Sequence, residues 1–247
     1  MGRAGFGHRV EGVHAVAAAA AAGRVEKLYV DRARRSRADV AEVVALVEDA
    51  GGTVQEVSDV RAVAETSAPQ GLVADCRPIP VATLEEVTAT SDPAAVLVLD
   101  RVVDPHNVGA IVRSAVAAGV LGFVLSDRRA APLSGVAFKA AAGAFEPASV
   151  AIVGSIAEAV SALSRLGLWS VGLDASAEQS LFGLALLTEP TALVIGGEGA
   201  GLSRLVADRL DVVVSIPMAG PTESLNASVA AALASFELAR ARHENAQ

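Results

Sequence analysis

The stretch Ser215–Ser228, SIPMAGPTESLNAS, decides how the C-terminal part of this 247-residue chain is organised. It follows an apolar run, Val212–Ile216, that is typical of a buried parallel strand. It then turns through two prolines and a glycine into an Ala-rich segment that predicts a helix from about Ser224 to Arg240, with Ser224 as its N-cap. A strand, a turn and a helix in this order predict one unit of a parallel α/β sheet.

The same alternation of strands and helices fills the chain from residue 94 onward. Short apolar runs such as Ala95–Leu99, Leu168–Leu173 and Leu193–Ile195 are separated by longer segments with helical periodicity. This order predicts a parallel sheet covered by helices on both faces, with ligands bound at the carboxyl ends of the strands. The expected fold class is therefore α/β.

The beginning of the chain carries a smaller α/β pattern of its own. Between the two patterns, residues 77–93 contain three prolines, which fix φ and interrupt both helices and sheets. The sequence therefore predicts an N-terminal domain over residues 1–76, a linker over 77–93 and a C-terminal domain over 94–247.

The composition excludes several classes of protein. A single cysteine, Cys76, rules out an intrachain disulfide, and four scattered histidines give no zinc-binding pattern. No window approaches the roughly 20 strongly apolar residues that a membrane span requires. The net charge of −8 argues against a protein that binds nucleic acid over its whole surface. We therefore expect a cytoplasmic protein with no metal and no membrane contact.

One part of the chain departs from this acidic average. Residues 1–40 carry eight Lys or Arg against four Asp or Glu. A basic run of this kind is either a solvated surface or a patch that contacts phosphate groups. The candidates for RNA contact are Arg32, Arg34, Arg35 and Arg37, with Arg128 and Arg129 as a second group.

Three loops that each follow a strand and precede a helix are rich in polar residues or glycine. The first, Asp100–Ser114 (DRVVDPHNVGAIVRS), places Asn107 at a predicted helix start and Arg113 about two turns into that helix. The second, Gly196–Gly201 (GGEGAG), allows backbone N–H groups to approach a ligand closely. The third is the stretch quoted above. Since the carboxyl ends of parallel strands share one edge, we expect the three loops to form one site.

The glycine-rich loop does not match the common nucleotide-binding motifs. Counted from Gly197, a dinucleotide fingerprint requires glycine where Leu202 stands, and no Gly-Lys-Ser/Thr sequence follows as in a P-loop. Glu198 would repel phosphate and suits a cationic, amine or hydroxyl group instead. The loop therefore predicts a site for such a group.

Taken together, DPHNVGAIVRSA (104–115), LVIGGEGAGL (193–202) and IPMAGPTESLNAS (216–228) resemble the three signature motifs of the SpoU/TrmH family in the SPOUT superfamily. Its members are S-adenosylmethionine-dependent RNA ribose 2′-O-methyltransferases. The start GVHAV (12–16), the Gln70-Gly71 step and FKAAAGAFE (138–146) are similar to the RlmB-type subgroup, which acts on a guanosine of 23S rRNA. The resemblance therefore covers nearly the whole chain.

The resemblance implies a SPOUT methyltransferase domain with a deep C-terminal trefoil knot, preceded by a small α/β RNA-binding domain. It implies that S-adenosylmethionine is held in the knot mainly by backbone groups and leaves as S-adenosylhomocysteine, without a metal. It also implies a homodimer. The cofactor-binding residues predicted in this way are Gly196, Gly197, Gly199, Gly201, Ile216, Met218, Gly220 and Leu225.

The implied reaction transfers a methyl group to a ribose 2′-hydroxyl, which requires alignment of the reactants and removal of a proton from a poor nucleophile. In the family, the arginine that matches Arg113 is proposed to take this proton. Stabilisation of the developing alkoxide is the alternative role, because the pKa of a guanidinium is above about 12. The predicted catalytic residues are Asn107, Arg113, Glu198, Ser224 and Asn226.

Three functions remain open from the sequence. The first is 2′-O-methylation of a guanosine in 23S rRNA. The second is the same chemistry on another RNA, either a tRNA or an rRNA site that confers antibiotic resistance. The third is a non-catalytic RNA-binding protein on the same fold, which the retention of all five predicted catalytic residues disfavours.

Overall fold

A computed structural model describes residues 5–127, 133–199 and 201–246. These residues form two compact units. The first unit contains residues 5–81 together with 133–146, and the second contains residues 82–127, 147–199 and 201–246. The division therefore differs from the predicted one in two places, at the start of the second unit and at residues 133–146.

The helices and strands alternate along most of the chain. The strands are β1 (Arg9–Glu11), β2 (Val25–Asp31), β3 (Thr53–Val57), β4 (Leu72–Cys76), β5 (Ala95–Asp100), β6 (Gly122–Ser126), β7 (Ser149–Val153), β8 (Trp169–Leu173), β9 (Thr191–Gly196) and β10 (Val212–Val214). The α-helices are α1 (Val13–Ala21), α2 (Ala38–Asp49), α3 (Leu84–Thr88), α4 (Pro105–Ala117), α5 (Gly135–Ala141), α6 (Ile156–Arg165), α7 (Arg204–Ala207) and α8 (Ala227–Asn245).

The first unit is built on a mixed sheet with the strand order β1-β4-β2-β3. β2 pairs with β3 in parallel and with β4 in antiparallel orientation. The alternating residues Leu28 and Val30 of β2 are fully buried, as are Val40 and Val47 of α2, while α1 and α2 pack against each other. A small sheet with helices is what the sequence predicts here, although the three-residue β1 is too short to leave a periodic signal.

Residues 133–146 pack onto the first unit, although the sequence assigns them to the 94–247 domain. The Phe138 and Phe145 rings stack with centroids 4.5 Å apart, and both lie 6.0 Å from the Phe6 ring. Arg24 donates to both carboxylate oxygens of Glu146 at 2.8 and 2.6 Å. The helical period of α5 predicts a buried face but does not say which unit buries it, so the sequence could not assign this segment to the first unit.

The predicted linker is also partly folded. Residues 84–88 form α3, which begins with a capping box between Thr83 and Glu86. Val87 is fully buried in the core of the second unit. The second unit therefore starts at residue 82, and Ala82 and Leu84 pack against the same core as Val87.

The second unit is a six-stranded sheet with the order β10-β8-β9-β5-β6-β7, in which every pair is parallel. This confirms the parallel α/β sheet that the sequence predicts. The chain runs outward from β5 to β7, and the later strands are added on the other side of β5. The carboxyl ends of β5 and β9 flank the point where the strand order reverses, which is where such sheets bind ligands.

Helices cover both faces of this sheet. Val96 and Val98 of β5 belong to a core cluster that includes residues of α3 and α6. The intervening Leu97 and Leu99 point to the opposite face and are buried as well. The long C-terminal helix α8 packs against α4 and β9. The late helix α8 thus lies over the strands whose loops are described next.

Arg242, in the last turn of α8, is held by hydrogen bonds to backbone carbonyl groups. The guanidinium of Arg242 donates to the backbone carbonyl oxygens of Pro93, Ala94, Leu187 and Glu189, at 2.6 to 3.1 Å. Burial among neutral carbonyl groups lowers the pKa of Arg242 from its ordinary value. These bonds tie the end of the chain to the start of β5 and to the turn before β9.

Candidate functional site

A cavity of about 330 Å³ lies at the carboxyl ends of β8, β9 and β10. It is lined by residues 173–175, by residues 195–199 with 201, and by six residues between Ile216 and Ala230. These three segments follow three neighbouring strands in the sheet. Two of the three loops that the sequence analysis singles out thus meet at one cavity, and the third reaches it through the hydrogen bonds described below.

The glycine loop after β9 is packed against backbone on both sides. A Cβ atom added at Gly196 would lie 2.3 Å from the carbonyl carbon of Gly201. A Cβ atom at Gly197 would lie 2.3 Å from the backbone oxygen of Arg101. Gly199 adopts a φ of 71°, which disfavours a side chain for a different reason. Close packing and backbone conformation therefore explain why this lining consists of glycine.

Glu198 joins the loops after β5, β9 and β10 in a hydrogen-bond network. Its Oε1 atom accepts from Nδ2 of Asn107 at 2.8 Å and also from Nδ2 of Asn226. Nδ2 of Asn226 lies 3.2 Å from Oδ1 of Asn107. Asn107 lies 91 residues before Glu198 in the sequence, and Asn226 lies 28 residues after it. The network therefore ties α4 and the start of α8 to the cavity-lining loop.

Two helix starts differ from those that the sequence predicts. The N-cap of α8 is Asn226, whose Oδ1 accepts from the backbone N–H of Ser228 at 2.8 Å, and not Ser224. The N-cap of α4 is Asp104, and Asn107 lies inside the first turn. An amide oxygen and a carboxylate cap as well as a serine hydroxyl does, so residue type alone does not select the cap. The change leaves Ser224 exposed on the cavity wall.

Most of the predicted cofactor-binding residues line the cavity. The exception is Gly220, which is not among the lining residues. The residues found at the cavity are Gly196, Gly197, Gly199, Gly201, Ile216, Met218 and Leu225. Of the predicted catalytic residues, Glu198 and Ser224 line it directly, while Asn107 and Asn226 reach it through Glu198.

Arg113 lies on α4 and has an exposed side chain. Within residues 5–127, 133–199 and 201–246, its guanidinium has no hydrogen bond or ion pair. A guanidinium that is not held by a carboxylate keeps all its donors available for a ligand. Asn107 lies six residues earlier on the same helix, so the network anchors the helix that carries Arg113.

Two acidic residues at this edge carry no sequence signal that singles them out. Asp174 lines the cavity after β8, and its Oδ1 accepts from the backbone N–H and the hydroxyl of Ser176 at 2.8 and 2.6 Å. These hydrogen bonds from Ser176 lower the pKa of Asp174. Asp100 is buried at the end of β5, and its Oδ2 accepts from the backbone N–H of Ser203 at 2.6 Å. Only the strand-end position of each aspartate could have identified it.

The four arginines predicted to contact RNA lie in the first unit. They do not form a cluster of unpaired positive charges, because three of them pair with carboxylates. The carboxylates of Glu56 and Asp39 pair with three of them, with N–O distances of 3.6 Å for Arg32, 3.2 Å for Arg35 and 2.9 Å for Arg37. Arg34 instead donates to the backbone oxygen of Gln70 at 3.2 Å. The second predicted group, Arg128 and Arg129, lies outside the described residues.

Other kinds of site find little support in the described ranges of the chain. No group of three or more His, Cys, Asp or Glu residues there is arranged to hold a metal ion. Burial raises the pKa of the Cys76 thiol to about 12, so the thiolate required of a nucleophile is rare near neutral pH. No helix within residues 5–127, 133–199 and 201–246 is long and apolar enough to cross a membrane.

Removing the side chain of Glu198 should destabilise the second unit. Glu198→Ala leaves the nearly buried Nδ2 group of Asn107 without its acceptor, so we expect a loss of about 1–3 kcal/mol in the free energy of unfolding. Glu198→Gln keeps one carbonyl oxygen for both amides and should lose less than about half of that. Denaturant unfolding followed by the fluorescence of Trp169, which lies in β8, measures both variants. Equal losses would show that the shared acceptor is not what anchors the loop.

The comparisons with known proteins match both units. Residues 94–236 match the model of the SpoU rRNA Methylase family, and residues 9–82 match the model described as RNA 2′-O ribose methyltransferase substrate binding. An uncharacterized tRNA/rRNA methyltransferase of Mycobacterium sp. (strain KMS) is 41% identical over 221 residues, which is 87% of this chain and 70% of that protein. The matches define the class of this protein as an RNA methyltransferase of the SpoU type. The chain belongs to the SpoU rRNA methylase family.

Solved structures show the same architecture. The SpoU methyltransferase AviRb from Streptomyces viridochromogenes, in complex with the cofactor AdoMet, matches with a TM-score of 0.78 and 28% identity over 95% of this chain and 90% of that one. The AdoMet-bound rRNA methyltransferase from Sinorhizobium meliloti matches with a TM-score of 0.76 and 26% identity over 94% and 87%. The A. aeolicus TrmH/SpoU tRNA modifying enzyme has a TM-score of 0.56 and 28% identity, and covers 66% of this chain and 82% of its own.

Proposed function

We propose that this protein transfers a methyl group from S-adenosylmethionine to the 2′-hydroxyl of a guanosine ribose in 23S rRNA. The observation that carries the proposal is the Asn107–Glu198–Asn226 network beside a glycine-lined cavity, within the residues that match the SpoU family. A non-catalytic RNA-binding protein has no need for this arrangement. An rRNA substrate also agrees with the predicted cytoplasmic location.

The cavity suits S-adenosylmethionine by size and charge. Its volume of about 330 Å³ lies in the range of small-molecule sites, roughly 300–1,000 Å³. The glycines leave backbone groups open to a ligand, and the charged lining residues, Asp174 and Glu198, are both acidic. When bound, S-adenosylmethionine supplies an electrophilic methyl group on a positively charged sulfonium. Gly196, Gly197 and Leu225 are the residues that we expect to hold it through their backbones.

The protein's own residues position and activate the RNA hydroxyl. Arg113, which has donors free of any partner among the described residues, either takes the hydroxyl proton or stabilises the negative charge that develops on the ribose oxygen. Asn107 anchors the helix of Arg113 to Glu198. Ser224 and Asn226 on the facing loop are the proposed contacts to the ribose. Alignment of this kind supplies a large share of the rate increase in group transfer.

An rRNA target is favoured over a tRNA target by the extent of the structural similarity. The rRNA methyltransferase of S. meliloti matches this chain over both units, whereas the tRNA modifying enzyme of A. aeolicus covers only 66% of it. Residues 9–82 match a substrate-binding model, so the first unit is the expected reader of the RNA. An rRNA site that confers antibiotic resistance remains the second candidate, because it requires the same two parts.

We infer a trefoil knot in the second unit, as the resemblance implies. The support is the position of the chain's end: α8 packs on β9 and α4, and Arg242 binds carbonyl groups at residues 93–94 and 187–189. The protein is also expected to be a homodimer, as the resemblance implies. Val229, Leu233 and Phe236 form an exposed apolar row on α8, with one residue per helical turn. Sedimentation of the protein as a monomer, unchanged by Phe236→Asp, would contradict the dimer.

Methyl transfer from labelled S-adenosylmethionine to large-subunit rRNA that lacks its own modifications tests the proposal directly. Nucleoside analysis should recover the label as 2′-O-methylguanosine. Label on another nucleoside would keep the chemistry and change the target. Tight S-adenosylmethionine binding without transfer to rRNA, tRNA or ribosomal precursors would overturn the proposed reaction.

A further inference from the structure

Three separate parts of the first unit converge on the loop formed by residues 68–71. Nζ of Lys139, on α5, donates to the backbone oxygen of Ala68. Nη1 of Arg34 donates to the backbone oxygen of Gln70 at 3.2 Å. The side-chain oxygen of Gln70 accepts from the backbone N–H of Val13, at the start of α1, at 3.4 Å. The loop is thus held by residues from positions 13, 34 and 139.

Glycines allow the side chains of Arg34 and Lys139 to pack closely at this loop. A Cβ atom at Gly71 would lie 2.4 Å from Cδ of Arg34, so the arginine stem packs directly on this glycine. A Cβ atom at Gly12 would lie 3.0 Å from Oε1 of Gln70 and 3.5 Å from Cγ of Lys139. Arg34 and Lys139 therefore both pack against the loop that carries Gln70.

The charges of these two cations are not compensated by carboxylates. Arg34 and Lys139 bind backbone carbonyls, which are neutral, whereas Arg32, Arg35 and Arg37 each pair with a carboxylate. Among residues 5–81 and 133–146, the Lys and Arg side chains without an ion pair are Lys27, Arg34, Arg77 and Lys139. Of these four, only Arg34 and Lys139 share one loop, since Lys27 lies over the Tyr29 ring and Arg77 binds Gly23.

The polar groups at this loop that still have unused hydrogen-bonding capacity are donors. The Gln70 amide uses its oxygen on Val13, so its NH₂ group is free of a partner among the described residues. The guanidinium of Arg34 and the ammonium of Lys139 have further N–H groups and no acceptor atoms. The nearby carboxylates are already engaged, because Glu11 accepts from Glu65 and Thr66, and Glu65 accepts from the backbone N–H of Gly135. Donors of this kind, two of them charged, suit an anion.

We propose that Arg34, Gln70 and Lys139 together bind a phosphate group of the RNA backbone. The proposal rests on the proposed function, since it takes the ligand of the first unit to be RNA. It narrows the predicted Arg32–Arg37 contact to Arg34 and adds Lys139, which lies 105 positions later in the sequence and reaches the loop because residues 133–146 pack on the first unit. Residues 133–146 are thereby part of the proposed RNA-reading surface.

The test is the salt dependence of RNA binding by the full-length protein. The probe is an in vitro transcript of large-subunit rRNA, with affinity measured from about 50 to 300 mM KCl. Each phosphate contact contributes about 0.7–0.9 to the slope of log K against log salt. We expect Arg34→Gln/Lys139→Gln to lower that slope by about one to two and the affinity by about tenfold or more at the lower salt concentrations.

The comparison variant Arg32→Gln/Arg37→Gln removes the same formal charge from arginines that are already paired. It should weaken binding by less than about threefold, because the paired carboxylates already offset these charges. Arg34→Lys/Lys139→Arg keeps both charges and should retain most of the affinity, which separates loss of charge from loss of folding.

Equal losses in the two glutamine variants would overturn the phosphate site in favour of a diffuse charge effect. Wild-type RNA affinity in Arg34→Gln/Lys139→Gln would also overturn the phosphate site. If that variant still methylates the transcript, the proposed function stands without this site. A wild-type protein that neither binds nor methylates the transcript would instead remove the proposed function and, with it, this site.

Discussion

Replacing Arg113 by alanine is expected to lower methyl transfer to RNA by about 10²- to 10⁴-fold, with S-adenosylmethionine affinity changed by less than about twofold. The reason is that Arg113 is the cationic group of the predicted catalytic set, and its guanidinium has no partner among the described residues. The transferred methyl group is already activated on its donor, so the remaining chemical demand falls on the hydroxyl oxygen. Single-turnover rates with unmodified rRNA, together with calorimetric titration of the cofactor, measure the two quantities separately.

The matched control for this substitution is Arg165→Ala. Arg165 is also exposed on a helix of the second unit but lies at the end of α6, away from the cavity lining. It should retain nearly full activity. Arg113→Lys should lose most of the activity, since neither role of the arginine transfers to a single ammonium group. Retention of more than about a tenth of the rate by Arg113→Ala would exclude both roles.

Replacing Gly196 by alanine should weaken S-adenosylmethionine binding and destabilise the second unit. The added Cβ atom would lie 2.3 Å from the carbonyl carbon of Gly201 and 2.5 Å from the backbone nitrogen of Leu202. Both are backbone atoms, so the clash cannot be relieved by rotating a side chain. We expect a cost of about 1–3 kcal/mol or more in the free energy of unfolding, and an affinity for the cofactor at least about tenfold weaker because the loop must move.

Gly154→Ala provides the control for this substitution. Gly154 follows β7 at the same edge of the sheet and shows no positive φ, and a Cβ atom added there would meet no heavy atom within 4 Å. Alanine there should leave stability and cofactor affinity nearly unchanged. Unfolding followed by Trp169 fluorescence and titration with S-adenosylmethionine apply to both variants. Wild-type cofactor affinity in Gly196→Ala would show that the loop after β9 does not hold the cofactor.

Several features of this protein follow from local sequence alone. Buried parallel strands require near-continuous apolar runs, so β5 and β9 are visible in the sequence. Glycines at a strand end mark close backbone approach, and Gly196 and Gly197 do lie against Gly201 and Arg101. Two strands, β1 and β7, are not predicted from the sequence. β1 has only three residues, and β7 lies at the edge of the sheet, where its outer residues are only half-buried and the apolar pattern is weak.

The site required more than local sequence. The sequence places Asn107 and Asn226 near helix starts, but only the tertiary structure shows that both donate to one oxygen of Glu198. The preference for capping positions is shared by Asn, Asp and Ser, so the sequence could not choose between Asp104 and Asn107 or between Ser224 and Asn226. Hydrogen bonds between residues 91 positions apart leave no trace in periodicity.

The sequence by itself determined the α/β class, the parallel sheet of the second unit and the family, because these depend on apolar runs, on turn residues and on short motifs. Only the tertiary structure decided which unit residues 133–146 join, which arginines are neutralised by carboxylates, and which polar side chains share an acceptor. A periodic pattern reports that one face of an element is buried. The partner that buries it is chosen by contacts between distant parts of the chain, whose energies depend on shape and charge in three dimensions.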